Sequence, residues 1–207
     1  MTLSRAQAGV LPTPVEYSAL QDAEVMLRVR EGDEAAFAYL VEKFRRPLIG
    51  FLYRSAGNAA VAEELAQEVF LRVFRARTTY AADAKFTTWL YRIATNLAMN
   101  HARDTKSERV AQAASLDEPD PETGETLDAA DPRMSVEQSL VRDERMAAIK
   151  RFVMALPERQ RMAVLMHKYQ EMDYRQIASV LRLSESATKS LLFRAYETLR
   201  EQLKGFV

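Results

Sequence analysis

The stretch YRQIASVLRLSESATKSLLFRA at residues 174–195 decides the fold of the C-terminal third of the chain. Asp173 and Gln176 have the spacing of a capping box, which opens a short helix. After a tight turn, Ser184 can cap a longer final helix that runs to about Leu203. A short helix, a turn and a longer helix form a helix-turn-helix, which places its second helix in the major groove of DNA.

The final helix has the pattern of a helix with one buried face. The predicted buried stripe comprises Thr188, Leu192, Ala195 and Leu199. The opposite side then carries hydroxyls, cations and an aromatic ring, which suit phosphate, guanine and the thymine methyl group. We therefore predict DNA contacts from Ser186, Lys189, Ser190, Phe193 and Arg194. A helical hairpin packed against another surface is the competing interpretation.

Amphipathic helices also fill the first half of the chain. Apolar residues at three- and four-residue steps predict helices over about 33–53, 58–77 and 85–104, with a short helix over 22–31. Pro47 should kink the first long helix. Asn58 and Asp22 are candidate N-caps. Since no period-2 strand pattern appears, the predicted fold class is all-α, with two small helical domains.

An acidic stretch separates the two helical regions. Residues 115–134 hold three Pro, one Gly and seven acidic side chains, with few large apolar residues to offset the entropy of ordering. Residues 117–144 carry a net charge of −8 and residues 145–207 one of +6, which suggests an anionic partner for the last domain. The predicted segments are a flexible N-terminal tail (1–20), a helical domain (21–105), a flexible acidic linker (106–134) and a helix-turn-helix domain (135–207).

The composition excludes several kinds of site. The chain has no Cys and only two His, which excludes a disulfide scaffold, a thiolate zinc site and a multi-histidine metal site. No apolar run approaches the roughly 20 residues that span a bilayer, and the N-terminus is a poor secretory signal, so we expect a cytoplasmic protein. No nucleophile–base pair or phosphate-binding glycine loop appears, so we expect neither an enzyme nor a cofactor.

Two segments of the first domain carry polar faces that suit partners. AEELAQEVFLRVF at 62–74 places carboxylates, an amide and an exposed aliphatic side chain in one strip, which suits a basic helical partner. FTTWLYRIATNLAMNHAR at 86–103 mixes aromatic, amide and Arg side chains, which can stack on and hydrogen-bond to unpaired bases. The simpler alternatives are a solubilising acidic face for the first segment and core packing of Trp89 for the second.

Together with LPERQR at 156–161, these segments resemble the extracytoplasmic-function (ECF) type of alternative sigma factor of bacterial RNA polymerase. The resemblance covers about 22–104 and 136–207. It implies a promoter-specificity subunit that binds core polymerase at the β′ clamp helices and the β subunit. It also implies that the first domain reads the −10 promoter element and the second the −35 element, while the linker threads toward the RNA exit path. A further implied partner is an anti-sigma factor, which in this family is often membrane-bound.

The resemblance assigns roles by matching motif positions. The contact with core polymerase would be made by Glu64, Leu65, Gln67, Glu68, Phe70 and Leu71. The loop from Thr78 to Lys85, including Thr79 and Tyr80, would capture a base flipped from the −10 element, with Asn96, Asn100 and Arg103 near the DNA. Ser186, Lys189, Ser190, Phe193 and Arg194 match the positions that contact the −35 element.

The helix-turn-helix departs from the family pattern at several positions. Arg182 stands where Gly is common, Ser186-Ala187-Thr188 where Gly-Thr-Val is common, and Leu191 and Tyr196 where Arg is frequent. The loss of two cations weakens the expected attraction to phosphate. The hydroxyl of Thr188, at a packed position, has a small cost unless it bonds back to the preceding turn. We therefore expect the helix-turn-helix to bind the −35 element. The departures leave no expectation about which bases it reads.

Three other functions remain open on the sequence alone. A conventional helix-turn-helix regulator would bind duplex DNA without polymerase, but it leaves the acidic strip at 63–71 unexplained. A helical enzyme has no catalytic constellation to support it. A structural adaptor would leave the basic face of the last helix unused.

Overall fold

The protein is all-α, as predicted, in a computed structural model that describes residues 17–113 and 136–204. No strand occurs within these two ranges. The helices are α1 (Asp22–Arg30), α2 (Glu34–Ala56), α3 (Ala59–Arg75), α4 (Phe86–Ala113), α5 (Val136–Ala155), α6 (Glu158–Tyr169), α7 (Tyr174–Leu181) and α8 (Glu185–Leu203), with a 3₁₀ turn at Arg77–Thr79. None of the helices in the described ranges is long and apolar enough to cross a membrane.

The first lobe, residues 17–113, is built by α1 to α4. Asp33 caps α2 by accepting from the backbone N–H of Ala36 at 3.0 Å. Asn58 caps α3, as predicted. Gly57 ends α2 at φ 76°, a left-handed conformation that glycine adopts without a steric penalty. At α1 the predicted cap is wrong by one position: Gln21 is the N-cap residue, and its backbone N–H donates to the carboxylate of Glu24 at 2.9 Å.

Two sequence-based boundaries differ from the structure. The side chain of Tyr17 is buried and its hydroxyl donates to the carboxylate of Asp33 at 2.8 Å, so the packed chain extends into the segment predicted as a tail. Helix α4 continues to Ala113, beyond the predicted start of the linker. Pro47 lies inside α2, which continues on both sides of it, and the kink expected there stays a prediction. The remainder of the predicted tail and linker lies outside the described residues.

The second lobe, residues 136–204, contains the predicted helix-turn-helix in α7 and α8. Asp173 and Gln176 form the predicted capping box, and Ser184 accepts from the backbone N–H of Ala187 at 3.1 Å. The predicted buried stripe of α8 is confirmed at all four positions. The hydroxyl of Thr188 donates to the carbonyl of Ser184 at 3.0 Å, which is the bond that makes this polar side chain tolerable in the core.

The two lobes pack against each other. Helix α2 contacts α6, and α4 contacts α7. Buried side chains from both lobes, such as Leu52 of α2 and Met162 of α6, belong to one continuous apolar core. The lobes therefore share a closed interface in this structure, an arrangement that the sequence did not predict.

Candidate functional site

The acidic strip of α3 lies on the surface beside an apolar groove. Glu64, Gln67 and Leu71 are exposed, Leu71 by 49%. Glu68 is half-buried and its carboxylate accepts from Nε of Arg72 at 2.7 Å. The groove between α2 and α3 is lined by apolar side chains that include Phe37, Val41, Phe70 and Leu71. An exposed Leu beside such a groove, with carboxylates next to it, suits a helical partner that is apolar on one side and basic on the other.

Leu65 differs from the other predicted contact residues of α3. Its side chain is only 8% exposed and packs in the core with Val69 and Val73. Phe70 is half-buried against the same core. The structure thus brings Glu64, Gln67, Glu68 and Leu71 together at the surface, while Leu65 supports them from below.

The loop after α3 presents some of its predicted DNA-contacting residues and buries one. Thr78, Thr79 and Lys85 are exposed. Tyr80 is only 3% exposed, and its ring packs edge-on against Trp89 at a centroid distance of 4.9 Å. Its backbone carbonyl accepts from Nη1 of Arg30 at 3.2 Å. In this arrangement Tyr80 anchors the loop to the lobe.

The hydroxyl of Tyr80 is buried without a hydrogen-bond partner among the described residues. Burial raises the pKa of Tyr80, and the nearby carboxylates of Asp22 and Asp83 raise it further. An orphaned buried hydroxyl costs free energy, so the burial of Tyr80 carries a penalty that its ring packing must offset. This is a feature that the sequence pattern could not have revealed.

The exposed side of α4 carries the remaining residues predicted to read the −10 element. Asn96, Asn100 and Arg103 are exposed, and Nη2 of Arg103 donates to Oδ1 of Asn100 at 2.9 Å. Trp89 is half-buried and packs on Phe86 as well as Tyr80. The simpler interpretation of Trp89 as a core residue is therefore confirmed.

The outward face of α8 displays all five residues predicted to contact the −35 element. Ser186, Lys189, Ser190, Phe193 and Arg194 are exposed, Phe193 by 67%. Lys189 pairs with Glu185 at 3.2 Å across one helical turn. This pair is exposed and therefore weak, so Lys189 can exchange it for another anion.

Tyr196 explains one departure from the family pattern. Its hydroxyl lies 2.8 Å from Nδ1 of His167, and the His167 ring stacks on Tyr174 at 5.5 Å. Burial, and then Tyr174, raise the pKa of Tyr196. The side chain thus braces α8 against α6, a role that an Arg would not fill in the same way. Leu191 is half-buried against the core, which accounts for its apolar character.

No group of three or more His, Asp or Glu side chains within 17–113 and 136–204 is arranged to hold a metal ion. The exposed features in these ranges are the strip of carboxylate, amide and aliphatic side chains on α3 and the amide- and cation-bearing faces of α4 and α8.

Comparison with known proteins identifies the family of the chain. The family model for Sigma-70 region 2 matches residues 40–108, and that for Sigma-70, region 4 matches residues 146–199. The RNA polymerase sigma-H factor of Pseudomonas aeruginosa is 33% identical over 189 residues, which is 89% of this chain and 94% of that protein. The ECF RNA polymerase sigma factor SigW of Bacillus subtilis is 30% identical over 179 residues, covering 86% and 94% of the two chains.

Solved structures agree with the fold. The structure of CnrH in complex with the cytosolic domain of CnrY matches with a TM-score of 0.64 and 18% identity, over 89% of this chain and 97% of that one. The sigma factor RpoE of Bartonella quintana, in complex with the anti-sigma factor NepR, matches with a TM-score of 0.62 and 18% identity, over 81% and 96%.

These matches define the class of the protein as a transcription initiation factor with the two helical domains of the sigma-70 type. The chain belongs to the ECF RNA polymerase sigma factors. The conventional regulator that acts without polymerase is therefore set aside, and the resemblance read from the three sequence motifs is confirmed.

Proposed function

We propose that this sigma factor docks on the β′ clamp helices through α3, captures a −10 base with the loop at 78–85 and α4, and reads the −35 duplex with α8. The observation that supports these three assignments most directly is that different kinds of exposed side chain lie on different helices. Carboxylates and an apolar side chain lie together on α3, whereas amides and cations lie on α4 and α8. On this proposal the protein acts in the cytoplasm and performs no chemistry itself.

Docking on polymerase would rest on Glu64, Gln67, Glu68 and Leu71. Leu71 would fill an apolar position of the partner, and the carboxylates around it would pair with cations of the clamp helices. Because Glu68 already pairs with Arg72 in an exposed setting, exchanging that partner costs little.

Promoter opening would be driven by binding energy. Extruding one base costs a few kcal/mol, which contacts with the flipped base and with core polymerase would offset. Thr78, Thr79 and Lys85 are exposed beside α4 and can meet the backbone and the base. Tyr80 would join them only after its ring leaves Trp89, and its orphaned hydroxyl lowers the cost of that movement.

Reading of the −35 element would use the exposed face of α8. Lys189 and Arg194 supply charge for phosphate or guanine, Ser186 and Ser190 supply hydroxyls, and Phe193 supplies an apolar edge. The burial of Thr188 and Leu192 on the opposite side fixes the rotation of the helix that presents them.

We further propose that an anti-sigma factor regulates this chain. The two solved relatives with the same fold are each described in complex with another protein, in one case an anti-sigma factor by name. The open groove between α2 and α3 offers such a partner the same surface that core polymerase would use, so the two would compete.

The proposal is tested by transcription in vitro with purified core polymerase on a promoter fragment library. The double variant Gln67→Ala/Glu68→Lys should lose core binding by at least about tenfold, since it removes an amide and reverses a charge in the strip. Asp104→Lys, at an exposed acidic site on α4, is the matched control and should bind normally in a pull-down. Undiminished binding of the double variant would remove α3 from the contact.

The −35 assignment has its own pair of variants. Lys189→Ala/Arg194→Ala should bind core polymerase normally and yet lose transcription from the promoter recovered in the library, with a shallower salt dependence. Arg200→Ala, further along the same helix, should transcribe normally. Equal transcription from the double variant and the wild-type protein would remove Lys189 and Arg194 from the DNA contact.

A further inference from the structure

None of the surfaces described above uses helix α1. This helix precedes residue 40, where the match to the Sigma-70 region 2 family model begins. Val25 and Met26 of α1 are buried in the core of the first lobe. The helix also packs against the 3₁₀ turn at Arg77–Thr79 and against α4, the two elements that flank the loop proposed to capture a base. Its position therefore suits a support for that loop.

The loop has a short exposed tip above a buried aromatic base. The tip, residues 81–85, is exposed throughout. The aromatic base comprises the rings of Tyr80, Phe86 and Trp89. Tyr80 directly precedes the tip and Phe86 directly follows it; both are buried, and their ring centres lie 6.3 Å apart in an edge-on contact. Because Trp89 packs on both rings, the two ends of the tip are held together.

Arg30, the last residue of α1, bonds to the main chain where the tip begins. Its Nη1 donates to the carbonyl of Tyr80 at 3.2 Å, although the two residues are 50 positions apart in sequence. The backbone N–H of Tyr80 donates to the carbonyl of Arg77 at 3.2 Å. Both polar groups of the Tyr80 backbone are therefore bonded, one of them to a charged donor, which makes the stronger kind of hydrogen bond.

The backbone and the ring of Tyr80 are held by different means. The hydroxyl has no hydrogen-bond partner among the described residues, so the ring is held by its packing on Phe86 and Trp89. The bond from Arg30 reaches only the carbonyl, and it can persist when the ring turns out of the aromatic base. A loop whose main chain is already fixed loses less conformational entropy when it binds a ligand than one that must become ordered.

We propose that Arg30 is a positioning residue for capture of the −10 base: from α1 it fixes the backbone of Tyr80, so that the tip keeps its shape while the ring of Tyr80 moves. This inference rests on the proposed function. Arg30 acts through the loop and makes no contact with DNA. The competing interpretation is that this exposed cation binds a phosphate directly, and the salt dependence of binding separates the two roles.

The first test measures the loop in the free, full-length chain by hydrogen exchange. The amide of Tyr80 should exchange roughly fivefold faster in Arg30→Ala, because loss of one hydrogen bond frees the main chain. Arg28→Ala is the matched control, since Arg28 is also in the last turn of α1 but lies over the ring of Tyr17, 5.8 Å from its centre. It removes the same charge from the end of the helix and should leave Tyr80 unchanged.

The second test follows the −10 base itself in the complex with core polymerase. The probe is the promoter fragment recovered in the library, with 2-aminopurine placed in turn at each −10 position of the non-template strand. Its fluorescence rises when the base leaves the stack. Arg30→Ala should bind core polymerase normally and need roughly fivefold more complex for half of the rise, with an unchanged salt slope. Arg30→Lys keeps a charged donor and should restore the wild-type response, and Arg28→Ala should match wild type.

Each result decides between the interpretations. A salt slope that falls by about one in Arg30→Ala would show a direct phosphate contact and overturn the positioning role. Unchanged exchange at Tyr80, or an unchanged fluorescence response, would also overturn it while the proposed function stands. If the wild-type complex gives no fluorescence rise at any −10 position, the proposed capture of a base is itself overturned.

Discussion

At the scale of single residues, the turn of the helix-turn-helix contains a backbone conformation that its residue does not favour. Arg182 has φ 54° and ψ 50°, the left-handed region, and its side chain is exposed. A residue with a Cβ pays a steric cost there of about 1–2 kcal/mol, which glycine avoids. The unusual Arg in this turn is therefore a local source of instability.

We expect Arg182→Gly to stabilise the protein by about 1 kcal/mol, because relief of the left-handed strain exceeds the extra entropy of glycine in the unfolded chain. The measurement is urea denaturation followed by circular dichroism. Ser179→Gly, at an exposed site inside α7 with helical geometry, is the matched control and should destabilise by about 1 kcal/mol. Equal effects of the two substitutions would show that Arg182 is not strained.

At the scale of helices, the side chain of Gln176 at the start of α7 makes two hydrogen bonds, one within its own helix cap and one to the other lobe. Oε1 of Gln176 accepts from the backbone N–H of Asp173 at 3.0 Å, while Nε2 of the same amide donates to Thr88 of the other lobe. Oδ1 of Asp173 in turn accepts from the backbone N–H of Gln176 at 2.7 Å. Because α7 is only eight residues long, this capping box is a large part of what holds it helical.

Removal of the N-cap side chain should therefore destabilise the whole of α7. We expect Asp173→Ala to lower the free energy of unfolding by about 1 kcal/mol and to speed hydrogen exchange of the first α7 amides. Asp104→Ala, an exposed acid inside α4 with no capping role, should change stability by less than about 0.5 kcal/mol. Unaltered exchange in α7 would contradict the importance of the cap.

The helices and their caps were largely predictable, because they follow from local rules. Ser184, Asn58 and Asp173 are capping residues placed directly before periodic apolar patterns, and the structure has each one as an N-cap. Gln21 was missed because Asp22 is the better capping residue by type. The order and spacing of the three motifs indicated the family. The family pattern in turn indicated the residues of the proposed surfaces.

The features that could not be predicted from the sequence depend on contacts between residues that are distant along the chain. Tyr80 lies in a polar loop and gives no local sign that it packs on Trp89. Tyr17 lies among irregular residues and is buried only because α1 and α2 provide a site for it. Thr88 and Gln170 are polar residues that look solvated in sequence, so the packing of the lobes was invisible too.

At the scale of the whole molecule, the buried Tyr91 links stability to alkaline pH. Burial raises the pKa of Tyr91 above its ordinary value. In the unfolded chain the phenol loses its proton near pH 10, whereas the folded chain keeps it. The unfolded state then binds fewer protons, so stability is fully present below about pH 10 and falls as the pH rises further.

We expect the free energy of unfolding to fall between pH 9 and pH 11, with Tyr91 alone contributing about 1.4 kcal/mol at pH 11. In Tyr91→Phe this fall should be smaller but not absent, because burial also raises the pKa of Tyr80 and Tyr196. Urea denaturation at the two pH values measures it. Tyr169→Phe, at an exposed site, should behave like the wild-type protein. The same pH dependence in Tyr91→Phe and wild type would assign the fall to other groups.

The divided amide of Gln176 has one more consequence. Loss of the contact with Thr88 would cost this amide only the partner of its Nε2, because Oε1 would still accept from the backbone N–H of Asp173. The first turn of α7 is therefore capped from within its own lobe and does not depend on the neighbouring lobe for its helical start.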